Sequence, residues 1–488
     1  MNASALEFAG MLVACGAAAI ALLARDPRLR HGAMAIALIV APMLVAGDVW
    51  DQRRFEDFRD SPESAAAAIA GAAAAVVAGA ALFHRFPIAF PVAAFAVLPL
   101  RVPVELGGET SNLLIPLYFV IASGVVAAAA PTFLGWARKT PPLARRDRPA
   151  VRRVLMALAA TLILYAIQTA YSEDVSNAIE TAGFFLVPFA VLAALLLEVR
   201  WTSRLLGVVL AGVAVAAVLY GGFAIWQYAV RDLVLNDQLA ESNELHLYFR
   251  VNSIFKDPNI LGRNLALVIV AIGAWVAWRR DADCAAIAAL VAAAVMLVAL
   301  AFSFSVTSLV SLLAGLAAAA WLRWGRRWGA AIVATCAVAA VAIALIGADE
   351  GGLGSSGELD AATSGRAGLI EGGLDLAEAR PVAGWGSGSF GRAFVSEVKP
   401  ATTIISHAEP VTVAAEQGAI GLAVYVVLIL TSVWVLLWRA GDSVARTAVG
   451  ACYVAMLVHS IGYGGFSNDP ATWALLGLGL ALARVDPA

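Results

Sequence analysis

Two residues in one connection, His407 and Glu409, raise the first chemical question of this chain. An unperturbed imidazole titrates near 6.5, which suits a general base at neutral pH. Glu409 follows two residues later and can orient or polarise it. A loop histidine with no chemical duty is the plainer alternative. His407 stands out by its company, because Arg366, the glycine-rich run GWGSGSFG at 384–391 and a helix start share the same connection. Arginine is a permanent cation whose planar fork grips phosphate at two points. Arg250 closes the polar stretch of a second long connection. Pairing with lipid headgroups is the alternative for both arginines. Arg263 lies four residues after Asn259 inside an apolar stretch, where it either faces a cavity or snorkels to the interface. In the glycine run, Gly386 and Gly388 let backbone N–H groups approach a phosphate or sugar closely. The run is no P-loop, since no Gly-Lys-Ser/Thr follows it, and a tight turn is the plainer reading.

The elements that must position these groups are membrane helices. Of 488 residues, 61% are hydrophobic and 14% charged, and mean hydropathy is +0.83. Soluble proteins are about 45–50% apolar and about 25% charged. The excess of Ala, Leu and Val comes in blocks of about 20 residues, the length of a membrane-spanning helix. An all-α polytopic membrane protein with about 12–15 transmembrane helices is expected, with a large extracytoplasmic loop containing short helices. A net charge of −2 gives no hint of a nucleic-acid partner. Cys15, Cys284, Cys336 and Cys452 are widely spaced in or beside apolar blocks, without metal-ligand spacing or a disulfide framework. No Lys or Arg precedes the first apolar run, so an uncleaved first helix starting outside is expected in place of a signal peptide.

Spans are read at about 5–24, 32–50, 65–83, 87–101, 113–135, 153–171, 179–198, 204–228, 259–278, 285–303, 305–322, 329–348, 412–438, 445–463 and 470–484. The 285–322 stretch reads as a long hairpin. Arg25/Arg28/Arg30, the stretch from Arg138 to Arg153, Arg279/Arg280, Arg323/Arg326/Arg327 and Arg439/Arg446 occupy alternate connections, with acidic or neutral ones between. Basic connections mark the cytoplasmic side. Two outward connections are long, at about 230–258 and 349–411, and such loops are usually functional or disordered. In the second, RAGLIEGGLDLAEA places Leu369, Ile370, Leu374 and Ala377 on one helical face, and Pro381 stops the helix. The expected organisation is N-terminal helices of unknown role over 1–200, helices with the first outer loop over 201–348, a catalytic loop over 349–411 and C-terminal helices over 412–488. Neither G-x-S-x-G, H-E-x-x-H nor a Walker motif occurs, and no outer Asp-x-Asp offers a metal site. A donor used outside the cell must arrive already activated.

The segments GRAGLIEGGLDLAEARPVAGWGSGSFGRAF and SHAEPVTVAAEQGAIGLAVY resemble the O-antigen ligase and polymerase superfamily. The corresponding features are Arg366 before a helix, Pro381 followed by the Gly384/Gly386/Gly388/Phe390 turn, Ser406-His407, and Glu416-Gln417-Gly418 opening the next helix. FRVNSIFKDPNILGRNLAL is similar to the family's upstream element, with Arg250 and Pro258-Asn259 in place, and NDPATWALLGL to its last span. The resemblance covers about 245–480. Where many members carry Ser-Arg-Gly, this chain has Ser305-Val306-Thr307-Ser308, leaving a third cation unassigned, with Arg263 the available substitute.

The resemblance implies a metal-independent glycosyltransferase in the cytoplasmic (inner) membrane, acting on its outer, periplasmic face without a cofactor. Its donor is a glycan on undecaprenyl diphosphate and its acceptor a glycan or lipid-glycan hydroxyl. Arg250 and Arg366 neutralise the diphosphate, His407 takes the acceptor proton, and attack opposite the diphosphate inverts the anomeric centre. Glu409, Gly386, Gly388, Asn259, Arg263 and Glu416 are the expected substrate contacts. Membrane lipid and glycan-assembly proteins are the expected partners. A ligase and a Wzy-type polymerase use the same donor chemistry. A lipid-linked glycan flippase would instead favour broken helices and ionisable groups near the midplane, and a structural subunit of an assembly complex would tolerate loss of His407.

Overall fold

A computed structural model describes residues 3–50, 61–106, 109–133, 135, 147–233, 239, 243, 249–279, 281, 283–334, 366–398, 406 and 408–484. Among them, 12 helices are long and apolar enough to cross a membrane. The fold is an all-α polytopic bundle. It starts with α1 (Ala5–Leu23) and α2 (Pro27–Val49), then α3 (Pro62–Arg85) and the short α4 (Ala89–Val97). The expected span 87–101 is corrected here: α4 has only 9 residues. Pro99 follows and cannot continue a helix. In its place β1 (Val102–Leu106) pairs antiparallel with β2 (Glu109–Leu113), Val102 opposite Leu113.

Next come α5 (Ile115–Phe133), α6 (Pro149–Gln168) and a composite span of α7 (Val175–Thr181), a π turn (Ala182–Leu186) and α8 (Val187–Leu196). The π turn has a local cause. Pro188 has no N–H for the Phe184 carbonyl, and the Tyr118 hydroxyl donates to that oxygen instead at 2.8 Å. The helices α9 (Ser203–Val230), α10 (Pro258–Val276), α11 (Cys284–Phe302) and α12 (Val306–Trp324) follow. A short turn at Ser303–Ser305 joins α11 to α12, but in place of the expected hairpin each packs mainly on other helices, α11 on α9 and α10, and α12 on α10 and Val444–Gly462. Of the expected span 329–348, residues 329–334 are helical and the remainder lies outside the described residues. The chain ends with α13 (Arg366–Ala379), α14 (Phe390–Glu397), α15 (Glu409–Leu437), α16 (Val444–Gly462) and α17 (Pro470–Arg484).

The two ends of the bundle differ in chemistry. At one end the basic connections converge on buried charges: Arg30 Nε donates to Glu198 at 2.5 Å and His31 Nε2 lies 3.1 Å from the same carboxylate. Nearby, Arg484 pairs with Asp147 at 2.8 Å and donates to the Leu197 carbonyl. At the opposite end lie the starts of α7, α10, α14, α15 and α17 with the loops between them. Between α4, α9, α10, α16 and α17 runs a mostly apolar cavity of about 530 Å³, lined by Phe95, Leu206, Val213, Leu267 and Leu475. Its lining on α9 runs from Ser203 to Tyr220, about 25 Å at the helical rise.

Candidate functional site

The glycine run is a tight turn, and it is already occupied by the protein itself. Gly384, Gly386 and Gly388 have φ of 71°, 96° and 75°, values that favour glycine over residues with a Cβ. Packing adds to this: a Cβ on Gly386 would overlap the backbone of Ser172, and one on Gly388 would lie 2.7 Å from Ala178 N. The N–H groups of Gly388 and Phe390 donate to the two carboxylate oxygens of Glu416 at 2.9 and 3.1 Å. Trp385 and Gly386 donate to the carbonyls of Ala415 and Glu416. Of the expected substrate contacts Gly386, Gly388 and Glu416, the structure bonds Glu416 to the N–H of Gly388 and packs Gly386 on Ser172, so the carboxylate sits where these amides would meet an anion.

This lock sits at a break in α15. Gly418, with φ 63° and ψ −163°, separates a short first segment from the long apolar one. Carbonyls freed there are satisfied by Trp385, Gly386 and the Gln168 amide, which donates to Gln417 O at 3.1 Å. Beyond the break, Ala419 and Ile420 donate to the carbonyls of Pro381 and Val382. A non-helical backbone at membrane depth requires such partners. The loop is held from the other side by Ser172, which donates to Ser387 O at 2.7 Å, and by Asn177, which donates to Gly388 O at 2.6 Å.

The helix α13 supports the turn through a face one step away from the expected one. Gly372, Gly373 and Leu376 are buried and Leu374 is exposed. The two glycines admit Phe394, Phe390 and Val411 into close contact, so the packed face is Leu369/Gly372/Gly373/Leu376. Arg366 is the first residue of α13. His407 lies outside the described residues. Its neighbour Ser406 is buried and bonds Ala408 and Thr412.

Glu409 also turns inward. Its carboxylate accepts from the N–H groups of Gly465, Phe466 and Ser467 at 2.7–3.2 Å, fixing the loop before α17 to the start of α15. Two residues after Ser467, Asp469 forms a buried ion pair with Arg263. Arg263 therefore neither snorkels nor faces an open cavity. Its charge is met inside the bundle, as an intramembrane arginine requires. Asn259, one turn before it, donates to Asp257 at 2.9 Å and accepts from Ser305 at 2.7 Å. Ser305 contacts Ser308, which reaches His459 Nε2 at 3.2 Å. Asn259, Arg263 and Glu409, all expected as substrate contacts, thus each have partners within the protein.

Arg250 is held differently. It is half-buried, its backbone is clamped on both sides by the Asn243 amide, and its Nε donates to Ser303 O at 3.2 Å. Its terminal amino groups have no bond to another described residue. The backbone around it is strained. Arg231, Ser253 and Phe304 are three of the four described non-glycine residues with positive φ, at 56°, 55° and 49°. Each costs about 1–2 kcal/mol, and such strain concentrates at functional sites. Sequence reasoning gave no role to Arg231, Ser172 or Asn177, and read Asp469 only as part of an acidic outward connection. The one local signal was for Arg231, three residues after Tyr228 on a helix.

The site as a whole offers a fixed guanidinium beside rigid, internally satisfied loops at one end of an apolar bundle. That suits an anionic headgroup on an apolar tail. Residues 291–426 match the family model described as O-Antigen ligase (Wzy_C), which supports the O-antigen ligase superfamily. The match includes Arg366, the glycine turn and Glu416, and ends before Asp469; Arg250, Asn259 and Arg263 precede it. No curated protein matches the chain.

Proposed function

Taking the O-antigen ligase segment at 291–426 as premise, we propose that this membrane protein is a glycosyltransferase that moves a glycan from undecaprenyl diphosphate to an acceptor hydroxyl. The family match is the observation that carries the reading, and it spans the connection holding Arg366 and His407. In this mechanism Arg250 and Arg366 bind the diphosphate and stabilise the charge that grows on it as the glycosidic bond breaks. His407 removes the acceptor proton as its oxygen attacks the anomeric carbon from the opposite face, inverting that centre. The lock between Glu416 and the glycine turn, and the clasp of Glu409 on 465–467, hold the surrounding loops still, so that reorganisation during reaction is small. The apolar cavity offers a place for the polyprenyl tail, whose binding energy positions the sugar. No metal takes part in this reading. The active end faces the periplasm or cell exterior of the inner membrane, in line with the basic connections at the other end.

The test uses a deletion strain complemented with wild type or His407→Ala, comparing surface glycan with the undecaprenyl-linked pool. Long polymer accumulating on the lipid in the mutant supports a ligase with an essential His407. Accumulated single repeat units assign a polymerase. A normal pattern from His407→Ala removes the base from this mechanism.

A further inference from the structure

Near Phe249, the residue before Arg250, stands a second guanidinium to which neither the family match nor the motifs give a role. Arg231 caps the C-terminal end of α9 in a left-handed conformation, its N–H bonded to Gln227 O. Its guanidinium carbon lies 4.1 Å over the centroid of the Tyr228 ring and 5.4 Å from that of Phe249, the residue before Arg250. Tyr228 stacks on Phe302, with centroids 3.8 Å apart and planes 3° from parallel. Phe302 leads directly into Ser303, whose carbonyl holds Arg250 Nε. A guanidinium–phenol–phenyl stack thus joins Arg231 to the turn that anchors Arg250.

The same backbone is tied twice. The Gln227 side chain donates to Ser253 O at 3.2 Å and accepts from Ser253 N at 2.7 Å, fixing the end of α9 to the strand of chain after Arg250. Stacking on aromatic faces uses the plane of a guanidinium and leaves its edge N–H groups to an anion. Arg231 is exposed and forms no ion pair with another described residue. The three left-handed residues Arg231, Ser253 and Phe304 all serve this one cluster.

We infer that Arg231 joins Arg250 and Arg366 in binding a diphosphate, Arg231 and Arg250 taking oxygens of different phosphate groups. The inference rests on the donor proposed above and adds to it a residue, Arg231, and a preference for two phosphates over one. A phospholipid headgroup presents the same phosphate chemistry with a single phosphate, so the two sources separate by phosphate number.

The experiment uses the full chain purified in detergent, with farnesyl diphosphate and farnesyl monophosphate as probes in calorimetric titration. Wild type is expected to prefer the diphosphate. Arg231→Gln is expected to weaken diphosphate binding by about tenfold or more, the worth of a charge-assisted hydrogen bond, with monophosphate binding changed much less. Arg231→Lys, which keeps the charge and loses the fork, should fall between, and it carries the test if Arg231→Gln does not fold. A purely structural Arg231 would leave the diphosphate-to-monophosphate ratio unchanged. That result in a folded variant overturns the inference and leaves the Arg250 donor site standing. Failure of wild type to bind the diphosphate overturns both. Competition by phosphatidylglycerol that disappears in Arg231→Gln, with diphosphate affinity unchanged, assigns Arg231 to lipid and also overturns the inference.

Discussion

Arg263 and Asp469 form an ion pair that joins α10 to the loop before α17, both side chains almost fully buried. Neither charge has water to fall back on, so each depends on the other. Removing one partner of a buried pair costs about 3–5 kcal/mol, whereas replacing both by apolar groups is often neutral. Asp469→Ala is therefore expected to lower the thermal unfolding temperature in detergent sharply. Arg263→Met combined with Asp469→Leu should recover most of that loss. A double variant as unstable as the single one would show that the pair does more than neutralise itself.

Glu416 supplies two acceptors to the glycine turn. Glu416→Gln keeps the shape and one acceptor, and is expected to destabilise by roughly 1–3 kcal/mol. Hydrogen exchange should then rise over 384–397 while α10 and α12 stay protected. Unchanged exchange at Gly388 and Phe390 would contradict the lock.

Gly386 and Gly465 separate backbone strain from crowding. Both have φ near +100°, at 96° and 99°, but only Gly386 lies against another backbone. Gly465→Ala should cost about 1–2 kcal/mol. Gly386→Ala should cost more than about 3 kcal/mol, because Ser172 must also move. Equal costs would mean the 384–391 turn is not seated on Ser172 as described.

At the basic end, burial of the Glu198 carboxyl opposes its ionisation. The hydrogen bond from His31 and the charge of Arg30 outweigh burial and hold it down at about 2, against an ordinary value of 4.5. A depressed carboxyl stabilises the fold above its unfolded value, and the contribution is lost as pH falls from about 4.5 towards 2. Thermal unfolding measured from pH 7 to pH 3 should show this loss, and Glu198→Gln should flatten it. A wild-type curve with no acid slope would count against the His31–Glu198–Arg30 cluster.

The chemistry of the bundle could be read from composition and spacing because span length and charge alternation are local properties. The Gly384–Gly388 turn was legible for the same reason. What the charged groups bond to was not. Glu416 finds Gly388 and Arg263 finds Asp469 only through tertiary packing, and no periodicity encodes a partner so far along the chain. The β1–β2 hairpin was missed because its apolar flanks continue the pattern of a membrane span, with Pro99 the overlooked interruption. On α13, glycines at 372 and 373 shifted the packed face, since burial there follows the room left for Phe394 rather than side-chain hydrophobicity.

The break at Gly418 and the bonds around it bear on how such proteins can be recombined. The segment matched as O-antigen ligase ends at residue 426, yet its folded form borrows from both sides of the chain. Ser172, Asn177 and Gln168 hold its glycine turn and the broken helix from before it, and the backbone of 465–467 binds Glu409 from after it. A chimera that grafts 291–426 alone onto another scaffold would transplant Glu409 without the 465–467 backbone, and the glycine turn without Ser172 and Asn177. A graft that keeps these bonds therefore needs junctions placed before Gln168 and after Asp469.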